Sequence, residues 1–270
     1  MGPQVPPYFD ALIAAFHQGR AGRFVHLGWW DAPPAASELQ PAQAFEQAQR
    51  RLNERMLDLA DLADGQCVVD VGCGLGGTLA EIDDRWRRLS MLGINIDPRQ
   101  LDVCASLRPA PSNTLRWIQA DACALPLPDA SVDRLLCIEA MFHFPSRRRF
   151  FAEAARVLVP GGLLVASDIV VALPDDGGAD HSGWRQALVE GFGPWPDLAG
   201  ADADHAALAA AAGLLLTRLE DASAATVPSH HFTAPAGHAA RDPLGRAAAA
   251  LAALHRQGRL RYALLQCRRR

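Results

Sequence analysis

The stretch "VVDVGCGLGGT", residues 68–78, decides the fold of this 270-residue chain. It opens on valines, whose branched side chains favour an extended strand. It then places Gly72, Gly74 and Gly77 in a G-x-G-x-x-G frame, and "GGTLAEIDDRW" continues with residues that can form a helix. Glycines between a strand and a helix let the main chain come close to a ligand at the helix N-terminus. That spacing alone is common to many nucleotide binders. Asp70 narrows the choice, because a carboxylate at the mouth of a phosphate cradle would repel a pyrophosphate. It suits instead a ligand that carries an ammonium group and no phosphate there.

Working outward, strand and helix patterns alternate. Before the glycines, Phe45, Ala48, Leu52, Met56, Leu59 and Ala63 recur every three or four residues, which predicts a helix over 41–64 capped at Gly65. Strands are expected at 66–72, 90–97, 115–121, 132–140 and 163–170, with helices at 98–107 and, from the N-cap Ser146, to about 158. This alternation predicts an α/β fold with a parallel sheet and helices on both faces. Residues 172–201 break the pace with Gly, Pro and Trp, as a lid or binding loop does. A helix at 202–212, a strand at 214–220, a helix at 243–256 and a last strand, "RLRYALLQCR", bring the sheet to seven strands, mostly parallel. The chain thus divides into an N-terminal extension with a helix near 8–18 (1–40), a ligand-binding core (41–171), a lid (172–201) and the rest of the core (202–270).

Composition excludes several classes of function. Half of the residues are hydrophobic and the net charge is −4, which argues against nucleic acid as a partner. The short basic runs Arg147–Arg149 and Arg268–Arg270 read as solvated surface. No apolar run reaches the ~18 residues of a membrane span, and the N-terminal stretch lacks a signal-peptide pattern; a cytoplasmic protein is expected. The chain contains no lysine, which excludes Schiff-base chemistry and a P-loop. Its six cysteines form no C-x-x-C pair and read as free thiols in a reducing compartment. No metal site is expected.

D-V-G-C-G-L-G-G resembles the glycine-rich motif of class I S-adenosylmethionine-dependent methyltransferases. "QADACALPLPDASVD" and "RVLVPGGLLVASD" resemble the later landmarks of that family, in its order and at its spacing, over roughly residues 40–170. The resemblance implies a Rossmann-like core binding S-adenosylmethionine, with S-adenosylhomocysteine as product. Asp70, Gly72, Cys73 and Gly74 would then hold the amino-acid part, and Asp121 and Ala122 the adenine. Ile138 would complete the wall. The family's ribose ligand ends its second strand, where this chain has Asn95 and Ile96; Asp97 and Gln100 follow, and which of the polar three serves stays open. "HLGWWD" resembles an aromatic lid of one branch, with Trp29 over the cofactor.

"CIEAMFHF", residues 137–144, puts Glu139 and His143 at the carboxyl end of the fourth strand, where parallel sheets bind ligands. It resembles a segment of the sugar and natural-product O-methyltransferases and of the quinone or tocopherol methyltransferases. In the rebeccamycin-type enzymes a histidine there and an aspartate ending the fifth strand work together, which implies His143 and Asp168. Histidine is suited to take the proton of an alcohol, and a carboxylate to orient it. Phe142, Trp184, Phe192, Trp195 and His230 are candidates for the acceptor pocket, with His181 and His231 nearby.

The expected activity is methyl transfer to a hydroxyl of a small, fairly apolar metabolite, by a monomer or homodimer. C-methylation of an aromatic, quinone-precursor or isoprenoid substrate, with Glu139 as base, competes with it. A cyclase using the same cavity is a further class. An NAD(P)-dependent oxidoreductase is opposed by Asp70 and by the lack of a Tyr-x-x-x-Lys pair.

Overall fold

The computed structural model describes residues 5–6, 8–32, 41–171, 182–196, 204–234 and 242–270. Helix α1 (Phe9–His17) and the long α2 (Pro41–Ala60) precede β1 (Cys67–Val71). Then follow α3 (Gly77–Arg85), β2 (Ser90–Asn95), α4 (Pro98–Cys104), β3 (Thr114–Gln119) and β4 (Val132–Ile138). A 3-10 turn at Met141–His143 leads to α5 (Arg147–Val157) and β5 (Leu158–Val171). After these come α6 (Ser182–Phe192), α7 (His205–Ala211) and β6 (Leu214–Asp221). The chain ends with α8 (Ser223–Thr226), α9 (His230–Thr233), α10 (Pro243–Arg256) and β7 (Leu260–Arg269).

The seven strands form one sheet in the order β3-β2-β1-β4-β5-β7-β6. Strands β1 to β5 run parallel, whereas β7 lies antiparallel to both β5 and β6. This is the mostly parallel Rossmann-like sheet that the alternating pattern predicts. Successive residues of a strand face opposite sides, so the core divides in two. Val68, Leu136, Leu163 and Leu264 pack with α2, α3, α6 and α10, while Val69, Leu135, Leu164 and Leu265 pack with α5 and α7. Phe150 and Phe151 of α5 are fully buried there, and truncating either to alanine would cost about 3–5 kcal/mol.

Local chemistry sets the ends that matter for the site. Asp97 caps α4, accepting from Arg99 N–H at 2.9 Å, with Pro98 in the first turn. Strand β4 stops at Ile138, two residues before the expected end, because Glu139 turns the chain with φ +52°. A left-handed non-glycine residue costs about 1 kcal/mol. Here the Glu139 N–H donates to Ser167 Oγ at 2.9 Å, which offsets part of that cost. Helix α2 ends at Ala60 rather than 64, where Asp61 turns left-handed. Strand β5 starts at Leu158, so the P-G-G turn lies inside it. Residues 223–233, given no element from sequence, form α8 and α9. His181 and much of the expected lid, 172–181 and 197–201, lie outside the described residues. The described part of that segment, α6, packs closely on α10; a Cβ on Gly191 would fall 2.4 Å from that of Ala247. Among the described residues no helix is long and apolar enough to cross a membrane.

Candidate active site

The turn after β1 brings main chain, rather than side chains, to the cavity. Gly72 has φ +77°, and a Cβ there would lie 2.4 Å from that of Ala140. Gly74 has φ +52°, and its Cβ would meet Val25 Cγ2 at 2.8 Å. Glycine alone fits both positions. Asp70, just behind the turn, is 2% exposed, and its carboxyl group makes no hydrogen bond or ion pair among the described residues. Burial pushes its carboxyl up to about 7. After β2, Asn95 Nδ2 donates to Gln100 Oε1 at 2.6 Å, and Asn95 Oδ1 accepts from the Ile96 N–H at 2.8 Å. Asp121 Oδ1 accepts from the Cys123 N–H at 2.8 Å. The Ala122 N–H has no acceptor among the described residues.

A cavity of about 1470 Å³ runs from this turn to a chamber beneath α1. Aromatic rings wall the chamber: Phe142 and Trp195 at 4.3 Å between centroids, Tyr8 and Phe192 at 5.3 Å. His143 faces it, with Nε2 3.0 Å from the Tyr8 hydroxyl. Its Nδ1 is buried beside the Pro194 carbonyl, without a hydrogen bond of ordinary geometry. Burial drives the imidazole down to about 3, against a smaller opposing pull from that carbonyl. Glu139 also lines the cavity, and its Oε2 accepts from the Leu27 N–H at 2.8 Å and the Tyr262 hydroxyl at 2.7 Å. Burial pushes Glu139 up to about 7, although both donors favour its charged form.

Residues 69–166 match a family model described as a methyltransferase domain. The methyltransferase GfsG of Streptomyces halstedii is 35% identical over 216 residues, 78% of this chain and 73% of that one. The chain belongs to the S-adenosylmethionine-dependent methyltransferases. An O-methyltransferase of Pyrenophora dematioidea is 35% identical over 159 residues, covering 58% of this methyltransferase and 56% of that protein. The crystal structure of the [4+2]-cyclase SpnF shares the fold, with a TM-score of 0.71 and 24% identity over 99% of this chain and 98% of that one.

The residues present suit the family's methyl donor. A buried carboxylate without a cationic partner matches the donor's ammonium group, and glycines that no Cβ could replace leave room for it. Asp70, Gly72 and Gly74 would hold the amino-acid part. Gln100, whose Nε2 makes no hydrogen bond among the described residues, would reach the ribose. Asp121 and the free N–H of Ala122 would meet the adenine, with Ile96 and Ile138 as apolar walls.

Several expected residues stand elsewhere in this methyltransferase. Asp168 does not meet His143: it is fully buried on the α5 side of the sheet, bound by Arg147 at 2.7 and 3.0 Å and by His205 Nε2 at 2.8 Å. Its neighbour Ser167 faces the other way, toward Tyr262 and Glu139. Asp97 is consumed in capping α4 and in pairing with Arg99 at 2.7 Å, and does not line the cavity. Cys73 turns its thiol to Cys104 and gives its N–H to the Ile94 carbonyl at 3.1 Å. Trp29 lies outside the cavity, its N–H on Asp31 and Arg55 4.5 Å over its ring; residues 24–27 close over the turn instead. Trp184, half-buried, packs against the apolar core, and His230 pairs with His255 at 3.0 Å while His231 lines the cavity. Tyr8 and Tyr262 went unrecognised in the sequence. Each lies more than a hundred residues from its partner, His143 or Glu139, and no local pattern marks either.

Proposed function

We propose that this methyltransferase modifies a hydroxyl of a small, largely apolar acceptor in the cytoplasm, with His143 as the destination of the hydroxyl proton. The observation that carries this is a buried imidazole facing an aromatic chamber continuous with the donor cradle. S-adenosylmethionine, when bound, supplies a methyl group already activated on a positively charged sulfur. The chain must then position the acceptor and remove a proton from a group whose pKa lies far above 7. The walls of Phe142, Phe192 and Trp195 exclude water and hold an apolar body. Burial keeps His143 unprotonated at neutral pH, so its ring is ready to accept. Because that burial also weakens it as a base, proton loss accompanies bond formation rather than preceding it. The O-methyltransferase among the relatives supports a hydroxyl as the target.

Glu139, held near 7, favours a second reading: an electron-rich carbon as acceptor, with Glu139 taking the proton from it. Methyl-labelled donor and matched pairs of free and O-blocked alcohols and phenols separate the two by NMR of the product. An O-methyl signal from the free members only is expected. Label on carbon would replace the first reading with the second. A rearranged, unlabelled product formed without S-adenosylhomocysteine would overturn both in favour of cyclisation. His143→Ala should lower turnover about 100-fold or more while S-adenosylhomocysteine binds as before.

A further inference from the structure

We propose that Tyr8, presented by the segment that enters α1, contacts the acceptor hydroxyl and relays its proton to His143. This rests on the hydroxyl reading given above. The geometry begins with Tyr8 Oη, 3.0 Å from His143 Nε2, the two rings stacked with centroids 5.7 Å apart and planes at 28°. That imidazole is the only hydrogen-bond partner of the phenol among the described residues. Burial and then the charge of Glu139 hold the phenol protonated far above its usual range. We assign the Tyr8 hydroxyl as the donor of this bond, which makes His143 the Nδ1–H tautomer, with Nδ1 toward Pro194.

The Nε2 lone pair is therefore already occupied. Tyr8 and His143 both line the chamber, and with Nε2 engaged it is the Tyr8 oxygen that is open to an acceptor hydroxyl entering it. The acceptor proton passes to Tyr8 Oη as the phenol's own proton passes to Nε2. The acceptor oxygen keeps the electron pair of its O–H bond, Tyr8 is regenerated, and His143 ends as the imidazolium. One proton leaves the acceptor and one arrives on His143.

The surroundings hold Tyr8 for this task. Its ring is wedged between Phe9 at 4.8 Å and Phe192 at 5.3 Å. In the first turn of α1, Asp10 pairs with Arg99, whose guanidinium also binds Asp97 at the start of α4. The N-terminal segment is thereby tied to the helix whose Gln100 borders the donor.

Tyr8→Phe tests the relay with a free phenol that the product assay shows to be methylated and with an analogue of it made more acidic by fluorines beside its hydroxyl. We expect kcat to fall about 30-fold or more for the ordinary acceptor, with S-adenosylhomocysteine affinity within twofold. The acidic analogue should recover most of the loss, because it needs no relay. In mixed H₂O and D₂O the wild-type rate should bow with deuterium fraction, as two moving protons require, and become linear in Tyr8→Phe. Nitrogen NMR of His143 in the S-adenosylhomocysteine complex should show the Nδ1–H tautomer. An Nε2–H tautomer, full kcat in Tyr8→Phe, or an equal loss for both acceptors would overturn the relay. If Tyr8→Phe is unaffected while His143→Ala is disabled, the relay alone is wrong. If His143→Ala keeps its turnover, the hydroxyl reading itself fails.

Discussion

The two ends of the cavity are made in different ways. The end proposed for the donor is largely local: the β1–α3 turn, the first residues beyond β2 and the turn at Asp121 all fall between residues 70 and 122, with residues 24–27 closing over them. It presents glycines, main-chain groups and one unpartnered carboxylate. The acceptor end is assembled from α1, the turn after β4, the end of α6 and α10, segments far apart in the chain. It presents aromatic rings and proton-accepting groups, held by hydrogen bonds spanning more than a hundred residues. A site built from backbone conformation binds one fixed ligand. A site built from tertiary packing can change its acceptor without disturbing the donor.

Asp168 is where this division can be broken most forcefully. It lies three residues before the end of β5, near the acceptor region, yet its side-chain partners lie on the opposite face. Burial alone would raise its carboxyl; the Arg147 charge and the His205 bond hold it below the usual carboxylate range. Asp168→Asn takes the negative charge from a fully buried guanidinium, which should cost about 3–5 kcal/mol in urea unfolding. Turnover per folded molecule should stay within about twofold. Lost turnover with stability intact would return Asp168 to the acceptor end.

Why sequence misplaced this residue is a matter of register. In "ASDIV" a one-residue step exchanges the two faces of the sheet, and no periodicity shows which face the acceptor uses. Asp70 and the glycines were legible because their strand, turn and helix are contiguous and their chemistry is local. His143 was legible as a polar group among apolar ones at a strand end. Tyr8 was not, since an aromatic residue opening a helix looks the same whether it packs or takes part in the chemistry. Trp29 erred for the same reason in the other direction.

Gly72→Ala attacks the donor end directly. Alanine must hold φ +77°, at about 1–2 kcal/mol, and its methyl group would meet that of Ala140. We expect calorimetry to show S-adenosylhomocysteine affinity reduced about 100-fold, roughly 2.8 kcal/mol. Unchanged binding would mean that the main chain of this turn does not touch the donor.

Asp70→Asn sharpens the same end by separating folding from binding. In the folded chain Asp70 holds its proton up to about 7, whereas in the unfolded chain it loses it near 4. Its contribution to stability is complete below pH 4, declines as pH rises through that window, and is gone above about 7. The asparagine has no proton to lose. Without ligand at pH 8 the variant should melt later than wild type, by about 1–3 kcal/mol, and the gap should close at pH 4. S-adenosylhomocysteine should bind about tenfold more weakly, since its ammonium loses a carboxylate partner. A variant that is both less stable at pH 8 and equally tight in binding would show Asp70 to be a buried structural acid.

Trp29→Ala should do least. The ring lies outside the cavity, held by Asp31 and by the Arg55 guanidinium over its face. Such a partly exposed cation–π contact contributes about 0.5–1 kcal/mol. The main chain of the segment is fixed independently: the Trp29 N–H bonds the Ala48 carbonyl at 2.8 Å, and Gly28 packs against α2 where any Cβ would strike Ala48 at 2.5 Å. Residues 24–27 therefore stay over the donor turn when the indole is gone. S-adenosylhomocysteine affinity should remain within about twofold while the melting temperature drops by a degree or two. A tenfold loss of affinity would show that the indole closes over the donor, and that this part of the donor end depends on a side chain rather than on the backbone.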